Sequence, residues 1–421
     1  MKTYTFKIAF LIFALLQISV FAQTEPSLDA LYQEKSFFEM RDALSKRSDD
    51  KSIELLFYRG VVANKFNEPE KSISYLQKYL KNGKEKIGEA YELLADNYVK
   101  TYQYAKAAGV YKSILEKYKT ELEKEPEKVG DLNNAIGLYD SLGSVPVQKI
   151  SFDGDTKIQG TRDAAKLLNI PVTIGAQTTN FVFDTGANLS TVTASTAQKL
   201  GLKIIESAVS VGSSTDKKVE SKLAFAPVMK IGNLTIRNAV FLVLNDEALY
   251  FPQIKYQIGG IIGFPVIEAF RHITISKTDE ILVPAKVKKS EIEPNLLFNS
   301  LTPVISVKHD NRRMSLVFDT GAQNSVFYPP FFKAEEEEIK KQYKLQNVKL
   351  GGAGGFKEVP AYLINLDLNV SGKTASFKNV RLITTPVNED SRYFYGNLGQ
   401  DLIKQFDKMT LDFESMYISF E

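Results

Sequence analysis

Two segments of the chain carry almost the same string of residues around an aspartate. Residues 181–190 read FVFDTGANLS and residues 316–325 read LVFDTGAQNS, so Asp184 and Asp319 occupy equivalent positions. Three apolar residues precede each aspartate, which predicts a buried strand that ends with the carboxyl group at the rim of a core. Because the two frames match, we expect the two carboxyl groups to meet as a pair.

A pair of carboxyl groups is suited to hydrolysis. Two aspartates that lie about 3 Å apart cannot both ionise, so the pair retains one proton. One aspartate then takes a proton from a water molecule, while the other protonates the carbonyl oxygen that the water attacks, without a covalent intermediate. We therefore predict that Asp184 and Asp319 are the catalytic residues, and that the reaction uses no cofactor and no metal ion.

The residues directly after each aspartate are predicted to support the catalytic loops. A glycine lets backbone N–H groups approach the carboxylate, and a threonine hydroxyl can bond to the opposite loop. The residues assigned to this support are Thr185, Gly186, Thr320 and Gly321. Four polar residues further along are expected to brace the loops from behind, namely Asn188, Ser190, Gln323 and Ser325.

The match between the two segments continues downstream. Gly263 lies 79 residues after Asp184, and Gly399 lies 80 residues after Asp319. A phenylalanine follows each of these glycines by seven residues. Two unrelated segments would not keep this register, so the sequence predicts that the second half repeats the first.

This pattern resembles the pepsin and retropepsin class of aspartic proteases. GGIIGFPVIEAFRHITIS at residues 259–276 and GNLGQDLIKQFDKMTLDF at residues 396–413 are similar to the downstream segment of bacterial retropepsin-like enzymes. Pro265 departs from that pattern, whereas Asp401 fits it. The resemblance implies two β lobes with a peptide-binding cleft between them, a polypeptide substrate, and the same two catalytic aspartates.

The resemblance also implies a flap in each lobe, a hairpin that closes over the bound peptide. VGSST, which starts at Val211, and LGGAGGF, which starts at Leu350, lie at the expected places. The glycine-rich string is also typical of a simple flexible turn. It lacks the Gly-Lys-Ser/Thr ending of a phosphate-binding loop.

The region at residues 25–145 has a helical and repetitive pattern. The segment that begins at Tyr58 is similar to the segment that begins at Glu92. Laying Gly60 on Ala95 gives a shift of 35 residues, which also places Ser72 on Ala107. Small residues recur where helices approach, and the period resembles that of tetratricopeptide repeats, about 34 residues. A generic array of helical hairpins is the alternative. Either array presents a surface to a protein partner or braces a neighbouring domain.

Short β-type runs separated by turn residues begin near Pro146. We therefore predict a multidomain α plus β protein, with an N-terminal α-helical repeat region followed by two homologous all-β acid-protease lobes. The predicted segments are a signal peptide at residues 1–22, the helical region at 25–145, lobe 1 at 150–285, a linker at 286–299 and lobe 2 at 300–421.

Composition excludes several classes of function. The formal net charge of +3 over 421 residues is close to balance, which disfavours nucleic acid as a partner. The chain has no cysteine, which excludes disulfides, thiol catalysis and thiolate metal sites. His272 and His309 are the only histidines in the sequence, which disfavours a metal site or a serine–histidine–aspartate triad.

The N-terminus has the pattern of a signal peptide. Lys2 and Lys7 precede an apolar run from Ile8 to Leu16, which is too short to span a bilayer. We expect cleavage after Ala22, export to the periplasm or the medium, and no membrane span in the mature chain. An uncleaved membrane anchor is the alternative.

The leading functional hypothesis is an aspartic endopeptidase that hydrolyses peptide bonds in a cleft between two lobes. One alternative is a non-catalytic module that binds a peptide in the cleft and a protein through the helical repeats. The other is an inactive scaffold in which the carboxyl groups are structural. The presence of both aspartates favours the enzyme.

Overall fold

The computed structural model describes residues 26–421, with the exception of residues 213–217, 253 and 353–354. The predicted signal peptide lies outside the described residues. An N-terminal helical part is followed by a β-rich part with barrel-like sheets, which confirms the predicted α plus β fold class.

The helical part consists of consecutive helices joined by short turns. Its helices are α1 (Leu28–Gln33), α2 (Phe37–Ser45), α3 (Ile53–Lys65), α4 (Pro69–Asn82), α5 (Ile87–Lys100), α6 (Tyr104–Lys117), α7 (Lys119–Leu122) and α8 (Pro126–Leu142). Proline occupies the first position of α4 and of α8. Proline is tolerated there because the first N–H groups of a helix have no intrahelical acceptor.

Small residues allow α3 and α4 to lie in close contact. A Cβ atom on Gly60 would lie 2.8 Å from the side chain of Leu76. The buried hydroxyl of Ser72 donates a hydrogen bond to the carbonyl oxygen of Gly60 at 2.6 Å. The small residues that recur in the sequence therefore mark a helix–helix contact.

The first barrel-like sheet follows the helices. The strands up to residue 283 are β1 (Lys149–Phe152), β2 (Thr156–Gln159), β3 (Thr161–Arg162), β4 (Leu168–Ile174), β5 (Gln177–Phe183), β6 (Ser190–Thr193), β7 (Lys203–Gly212), β8 (Lys218–Ile231), β9 (Leu234–Leu244), β10 (Tyr250–Phe251), β11 (Tyr256–Gln257), β12 (Gly260–Ile262), β13 (His272–Ser276) and β14 (Glu280–Val283). Helix α9 (Ala194–Lys199) follows β6, and 3-10 helices lie at Asp246–Leu249 and Glu268–Phe270. Within the first barrel-like sheet the strand order is β1-β9-β6-β12-β5-β4-β8-β7. Strand β8 also pairs with β9, which curls the sheet.

The second barrel-like sheet repeats this strand order. The remaining elements are β15 (Leu296–Asn299), β16 (Thr302–His309), β17 (Arg312–Phe318), β18 (Val326–Phe327), α10 (Pro329–Ala334), α11 (Glu336–Gln342), β19 (Gln346–Gly352), β20 (Gly355–Val370), β21 (Lys373–Ile383), a 3-10 helix at Asp390–Arg392, β22 (Gly396–Leu398), α12 (Gln400–Ile403), β23 (Lys408–Asp412) and β24 (Tyr417–Phe420). The order β15-β16-β17-β22-β18-β21-β20-β19 contains the same circuit as β4-β5-β12-β6-β9-β8-β7. Strand β15 lies within the segment that we predicted as a linker. It nevertheless pairs with β16 as part of the sheet, because its Leu296 and Phe298 side chains are buried in the core.

A third sheet joins the two barrels. Its order is β2-β14-β13-β23-β24, so that β13 from the first half pairs with β23 from the second. Thr274 lies opposite Thr410, and the register is symmetric about this pair. Their hydroxyl oxygens lie 3.3 Å apart. The two halves are therefore joined by backbone hydrogen bonds as well as by side-chain packing.

Beside this junction lies a cluster of three buried phenylalanines. The ring centroids of Phe264 and Phe298 lie 5.2 Å apart, and those of Phe264 and Phe413 lie 5.6 Å apart. The rings come from the segment after β12, from β15 and from the segment after β23. This cluster adds apolar burial to the junction between the halves.

The helical part packs against both halves of the β-rich part. Helix α8 lies against β7, and Leu142 belongs to the same apolar cluster as Leu223 of β8 and Val240 of β9. On the other side, Arg313 donates a hydrogen bond to Asp42 Oδ2 at 2.7 Å. The helices thus form an extended interface with the β-rich part.

Candidate active site

Asp184 and Asp319 each follow directly after a strand that pairs in parallel with a neighbour. β5 pairs with β12 and β17 pairs with β22. The backbone N–H of Asp184 donates to the carbonyl oxygen of Ile262, and that of Asp319 donates to Leu398, both at 2.9 Å. These parallel neighbours fix the point at which each aspartate leaves its sheet.

The two threonines that follow the aspartates bond to each other's loops. The backbone N–H of Thr185 donates to Thr320 Oγ1, and the backbone N–H of Thr320 donates to Thr185 Oγ1, both at 3.0 Å. Thr185 Oγ1 also donates to the carbonyl oxygen of Phe318 at 3.0 Å, and Thr320 Oγ1 donates to that of Phe183 at 2.8 Å. Both threonines are fully buried, so these four bonds form without competition from water.

The glycines bring each loop against the opposite carboxyl group. A Cβ atom on Gly186 would lie 2.6 Å from Cγ of Asp319, and one on Gly321 would lie 2.3 Å from Cγ of Asp184. No larger residue fits at either position, because real Cβ atoms do not approach other atoms so closely. Each carboxyl group therefore sits over the backbone of the other loop, and the two aspartates form one pair, which we call the dyad.

Backbone N–H groups of the loops bond to the dyad. Asp184 Oδ1 accepts a hydrogen bond from Gly186 at 2.8 Å. Asp319 Oδ1 accepts from Gly321 at 2.8 Å and from Ala322 at 3.1 Å. Such bonds favour the ionised form of a carboxyl group, so each loop stabilises a negative charge on its own aspartate.

A side chain outside both loops also contacts the dyad. Asn397 Nδ2 donates to Asp319 Oδ2 at 3.3 Å. Asn397 belongs to β22, where it lies opposite Val317 in the parallel pair. The corresponding residue of the first barrel is Ile261, which lies opposite Val182.

The environment of the dyad perturbs two neighbouring titratable groups. Burial, followed by the negative charge of Asp319, raises the pKa of Asp184 well above its ordinary value. Burial, followed by the same charge, also raises the pKa of the Tyr328 hydroxyl. Asp184 therefore holds a proton under conditions in which an exposed aspartate is ionised, which is the behaviour expected of a dyad that shares one proton.

Behind the loops, two serines contact Gly263 and Gly399, the glycines that lie at equivalent distances after the two aspartates. Ser190 Oγ accepts a hydrogen bond from the backbone N–H of Gly263 at 3.2 Å, and Ser325 Oγ accepts from Gly399 at 3.0 Å. The bracing predicted for these serines is therefore present. The other two predicted bracing residues, Asn188 and Gln323, are exposed, and Asn188 accepts a hydrogen bond from Thr302 Oγ1 at 3.1 Å.

The two glycines are required because the chain passes very close to each loop. A Cβ atom on Gly263 would lie 2.4 Å from the carbonyl oxygen of Ala187. A Cβ atom on Gly399 would lie 2.5 Å from that of Ala322. The 79- and 80-residue spacings from each aspartate therefore reflect a direct backbone contact.

The departure at Pro265 corresponds to a difference between the two halves. Asp401 accepts hydrogen bonds from the backbone N–H of Ser325 at 2.9 Å and from its hydroxyl at 2.6 Å. Pro265 has no side-chain acceptor, and its carbonyl oxygen instead accepts from Tyr102 and Gln148 of the preceding region, both at 3.4 Å. The second loop is braced from within its own half, whereas residues outside the first barrel contact the corresponding segment of the first half.

The second loop is also linked to the first half of the β-rich part. The buried Gln400 donates through Nε2 to the carbonyl oxygen of Thr320 at 2.7 Å. Its Oε1 accepts a hydrogen bond from Arg162 at 2.8 Å, and Arg162 Nε donates to Asp279 at 2.9 Å. This chain of contacts orients the loop that carries Asp319.

The segments expected to form flaps lie on hairpins. β7 and β8 pair in antiparallel fashion up to Gly212 opposite Lys218, and β19 and β20 pair up to Gly352 opposite Gly355. The tips at residues 213–217 and 353–354 lie outside the described residues. The strands on either side place one hairpin in each half.

Part of the chain matches a known protein family. Residues 170–266 match a family described as aspartyl protease. The matched segment contains Asp184 and Gly263, which are the aspartate and the contacting glycine of the first loop. This part of the chain is therefore similar to aspartic proteases. No curated protein matches the chain.

The described part of the chain has neither a candidate metal site nor a helix suited to crossing a bilayer. No group of three or more histidine, aspartate or glutamate side chains there is arranged to hold a metal ion. Nor does any helix of that part combine the length and the apolar character that crossing a bilayer needs. The histidines have structural contacts, since His272 Nδ1 lies 2.9 Å from Asp412 Oδ2 and His309 Nδ1 lies 2.9 Å from the carbonyl oxygen of Asp367.

The structure thus brings together Asp184, Asp319 and the threonine and glycine that follow each of them. Sequence reasoning did not assign Asn397, Gln400 or Tyr328 to this site. Asn397 and Gln400 lie within GNLGQDLIKQF, the segment that aligns with GIIGFPVIEAF. The signal available in the sequence was that these two polar residues align with apolar ones, Asn397 with Ile261 and Gln400 with Phe264.

Proposed function

We propose that this protein is an aspartic endopeptidase whose catalytic residues are Asp184 and Asp319. The observation that carries the proposal is the dyad itself, in which each carboxyl group packs on the opposite glycine and the loops are tied by crossed threonine bonds. The raised pKa of Asp184 supports it, because hydrolysis needs one protonated and one ionised member. The aspartyl protease match at residues 170–266 agrees with this reaction.

The proposed reaction proceeds by proton transfer within the dyad. The ionised aspartate removes a proton from a water molecule, whose oxygen attacks the carbonyl carbon of the scissile peptide bond. The protonated aspartate gives its proton to the carbonyl oxygen, which produces a neutral tetrahedral diol. The diol then returns a hydroxyl proton to the aspartate that is now ionised, while the amide nitrogen takes the proton from the aspartate that received it from water. The C–N bond breaks, which releases an acid and an amine.

In this proposal the β-rich part contains two homologous lobes, predicted at residues 150–285 and 300–421. The second lobe also includes β15, so the segment that joins the lobes ends before Leu296. The repeated strand order and the symmetric register about Thr274 and Thr410 support this division. The substrate is an unfolded polypeptide segment that lies between the lobes. The hairpins β7–β8 and β19–β20 act as the flaps.

The helical region at residues 25–145 is proposed to be a tetratricopeptide-like array that binds a protein partner. The close contact of Gly60 with Leu76 and the 35-residue shift support this reading. The signal-peptide pattern at residues 1–22 supports export, so the proposed site of action is the periplasm or the medium.

Hydrolysis of fluorescein-labelled casein by the full chain tests the proposal. We expect the wild-type protein to cleave it, a statine-type transition-state mimic to inhibit it, and both Asp184→Asn and Asp319→Asn to abolish it. Asp310→Asn serves as the control, since the Asp310 side chain is 90% exposed and lies outside the site. Cleavage that persists in either dyad variant would overturn the assignment.

A mixing experiment separates one cleft per chain from a shared site. Because both loops belong to one chain and contact each other, a mixture of Asp184→Asn and Asp319→Asn should remain inactive. Recovery of activity on mixing would show that the loops pair between chains. A wild-type protein that binds casein and the inhibitor without any hydrolysis would favour the non-catalytic binding module instead.

A further inference from the structure

The two carboxyl groups of the dyad differ in one side-chain contact. Both receive backbone N–H groups from their own loops. Among the described residues, a strand residue adds a side-chain donor only at the second barrel, where Asn397 Nδ2 lies 3.3 Å from Asp319 Oδ2. At the corresponding position of the first barrel, Ile261 offers hydrocarbon alone.

The orientation of the Asn397 amide shows which charge it suits. With Nδ2 toward Asp319, the amide donates to an acceptor, which is what an ionised carboxylate provides. Turning the amide over would bring Oδ1 against the carboxyl oxygen, and this contact is favourable only if Asp319 carries the proton. An ionised Asp319 and the observed orientation of Asn397 are therefore mutually consistent.

The other end of the amide is consistent with a specialised role. Asn397 Oδ1 is buried and has no hydrogen-bond partner within the described residues. A buried unpaired acceptor is unfavourable, and such groups are found where another requirement holds them in place. At the corresponding point of the first barrel, an isoleucine avoids this penalty altogether.

We propose that Asn397 is a positioning residue that holds the negative charge of the dyad on Asp319 and leaves the shared proton on Asp184. This inference rests on the proposed function. Asp319 then takes the proton from the attacking water, and Asp184 protonates the carbonyl oxygen of the substrate. Asn397 thus determines, before the substrate binds, which aspartate acts as the base and which as the acid.

The other titratable groups near Asp319 in the described part of the chain do not account for such a bias. Asp184 is the other member of the dyad itself. The Tyr328 hydroxyl stays neutral, because burial and the charge of Asp319 raise its pKa. Asp390 interacts with Tyr328, and its negative charge would disfavour an ionised Asp319.

The pH dependence of kcat/KM on fluorescein-labelled casein tests the role of Asn397. Asn397→Ile copies the residue of the first barrel and removes the donor, so the acid limb of the profile should move upward by about one pH unit. Below that limb the variant should be about tenfold slower than the wild type. Ile261→Val changes the equivalent position of the first barrel without adding a donor, so it should leave the acid limb in place.

The exchanged variant Ile261→Asn/Asn397→Ile distinguishes positioning from structure. It places the donor beside Asp184, so the acid limb should return toward the wild-type position, with the roles of the aspartates reversed. A purely structural Asn397 would instead lower activity at all pH values, and the exchange would not restore it. An unchanged acid limb in Asn397→Ile would overturn the proposal.

A measurement that needs no turnover separates this proposal from the proposed function. In full-length protein labelled with carbon-13 at the aspartate carboxyl carbons, signals are assigned from the Asp184→Asn and Asp319→Asn variants. On raising the pH, the first ionisation of the dyad should change the Asp319 signal most, and Asn397→Ile should remove this preference. If the wild type shows the preference but cleaves nothing, the charge assignment stands and the enzyme proposal fails. Equal changes at both aspartates would overturn the assignment of the charge.

Discussion

Thr185 and Thr320 bond to each other reciprocally, each hydroxyl accepting the other's backbone N–H at 3.0 Å. The two carboxyl groups next to them repel each other when both are ionised, so in that state the carboxyl groups do not hold the loops together. The buried threonine bonds supply the attraction that keeps the loops in contact. The geometry of the dyad is thus set by residues that take no part in proton transfer.

Replacing Thr185 by Val should show how much the Thr185 hydroxyl contributes to stability. Valine has the shape of threonine but leaves the N–H of Thr320 and the carbonyl oxygen of Phe318 buried without a partner. We expect a loss of about 2–4 kcal/mol in the free energy of unfolding, measured by urea denaturation. Thr185→Ser keeps the hydroxyl and should lose about 1 kcal/mol through the missing methyl group. Equal stability of the two variants would contradict this account.

Gly399→Ala should disrupt the contact behind the second loop. The new Cβ atom would lie 2.5 Å from the carbonyl oxygen of Ala322, so backbone must move, and we expect a loss of about 1–3 kcal/mol in the free energy of unfolding. Gly109→Ala is the control, because Gly109 lies in α6 with open space around its Cβ position. There, alanine should stabilise the protein by about 0.5–1 kcal/mol.

The raised pKa of Asp184 predicts how stability varies with pH. Its folded pKa lies above its unfolded value, so the contribution of Asp184 to stability is full below the unfolded pKa, about 3.9, and is lost as the pH rises through the folded pKa. Asp184→Asn cannot ionise and should therefore be more stable than the wild type at neutral pH, with a difference that shrinks toward pH 4. Thermal unfolding between pH 4 and 8 measures this difference, and Asp310→Asn is the control. A gain that is independent of pH would contradict the prediction.

Lys65 lies where the helical part meets the β-rich part, and it predicts the opposite trend, a stability that rises with pH. It is buried and donates to Asn299 Oδ1 at 3.2 Å, while burial, followed by the charge of Lys100, lowers its pKa to about 7. The unfolded chain binds more protons than the folded one between pH 7 and the ordinary lysine pKa, so stability gains with pH in that window. Relative to Lys65→Met, the wild type should gain up to about 1.4 kcal/mol per pH unit above pH 7. Lys71→Met, at an exposed lysine, should show no such trend.

The sequence predicted those parts of the fold and site that depend on local strings or on fixed spacings. The α plus β fold class followed from the change of pattern near Pro146. Gly263 and Gly399 were found by counting, because each must pass the backbone of its loop. The reciprocal threonine contact was expected because Thr185 and Thr320 occupy equivalent places in matching loops.

Contacts between distant, non-equivalent residues could not be read from the sequence. Asn397 and Gln400 stand where the aligned segment has apolar residues, and only the parallel pairing of β17 with β22 shows that Asn397 reaches Asp319. Strand β15 was interpreted as part of a linker because charged residues precede it. Its apolar side chains find their partners in Phe264 and Phe413, which are remote in the sequence.

The position of α8 against β7 has a consequence for the protein in solution. β7 pairs with β8 and, among the described strands, with no other, so it is an edge of the first sheet. An uncovered edge offers free backbone N–H and C=O groups to any extended chain, including another copy of the same protein. Helix α8 contacts this edge strand, and Leu142 packs with Leu223 of the neighbouring strand. We therefore expect the helical part to limit the access of other chains to the edge. Selection for solubility alone would then preserve this packing, whatever partner the outer surface of the helices binds.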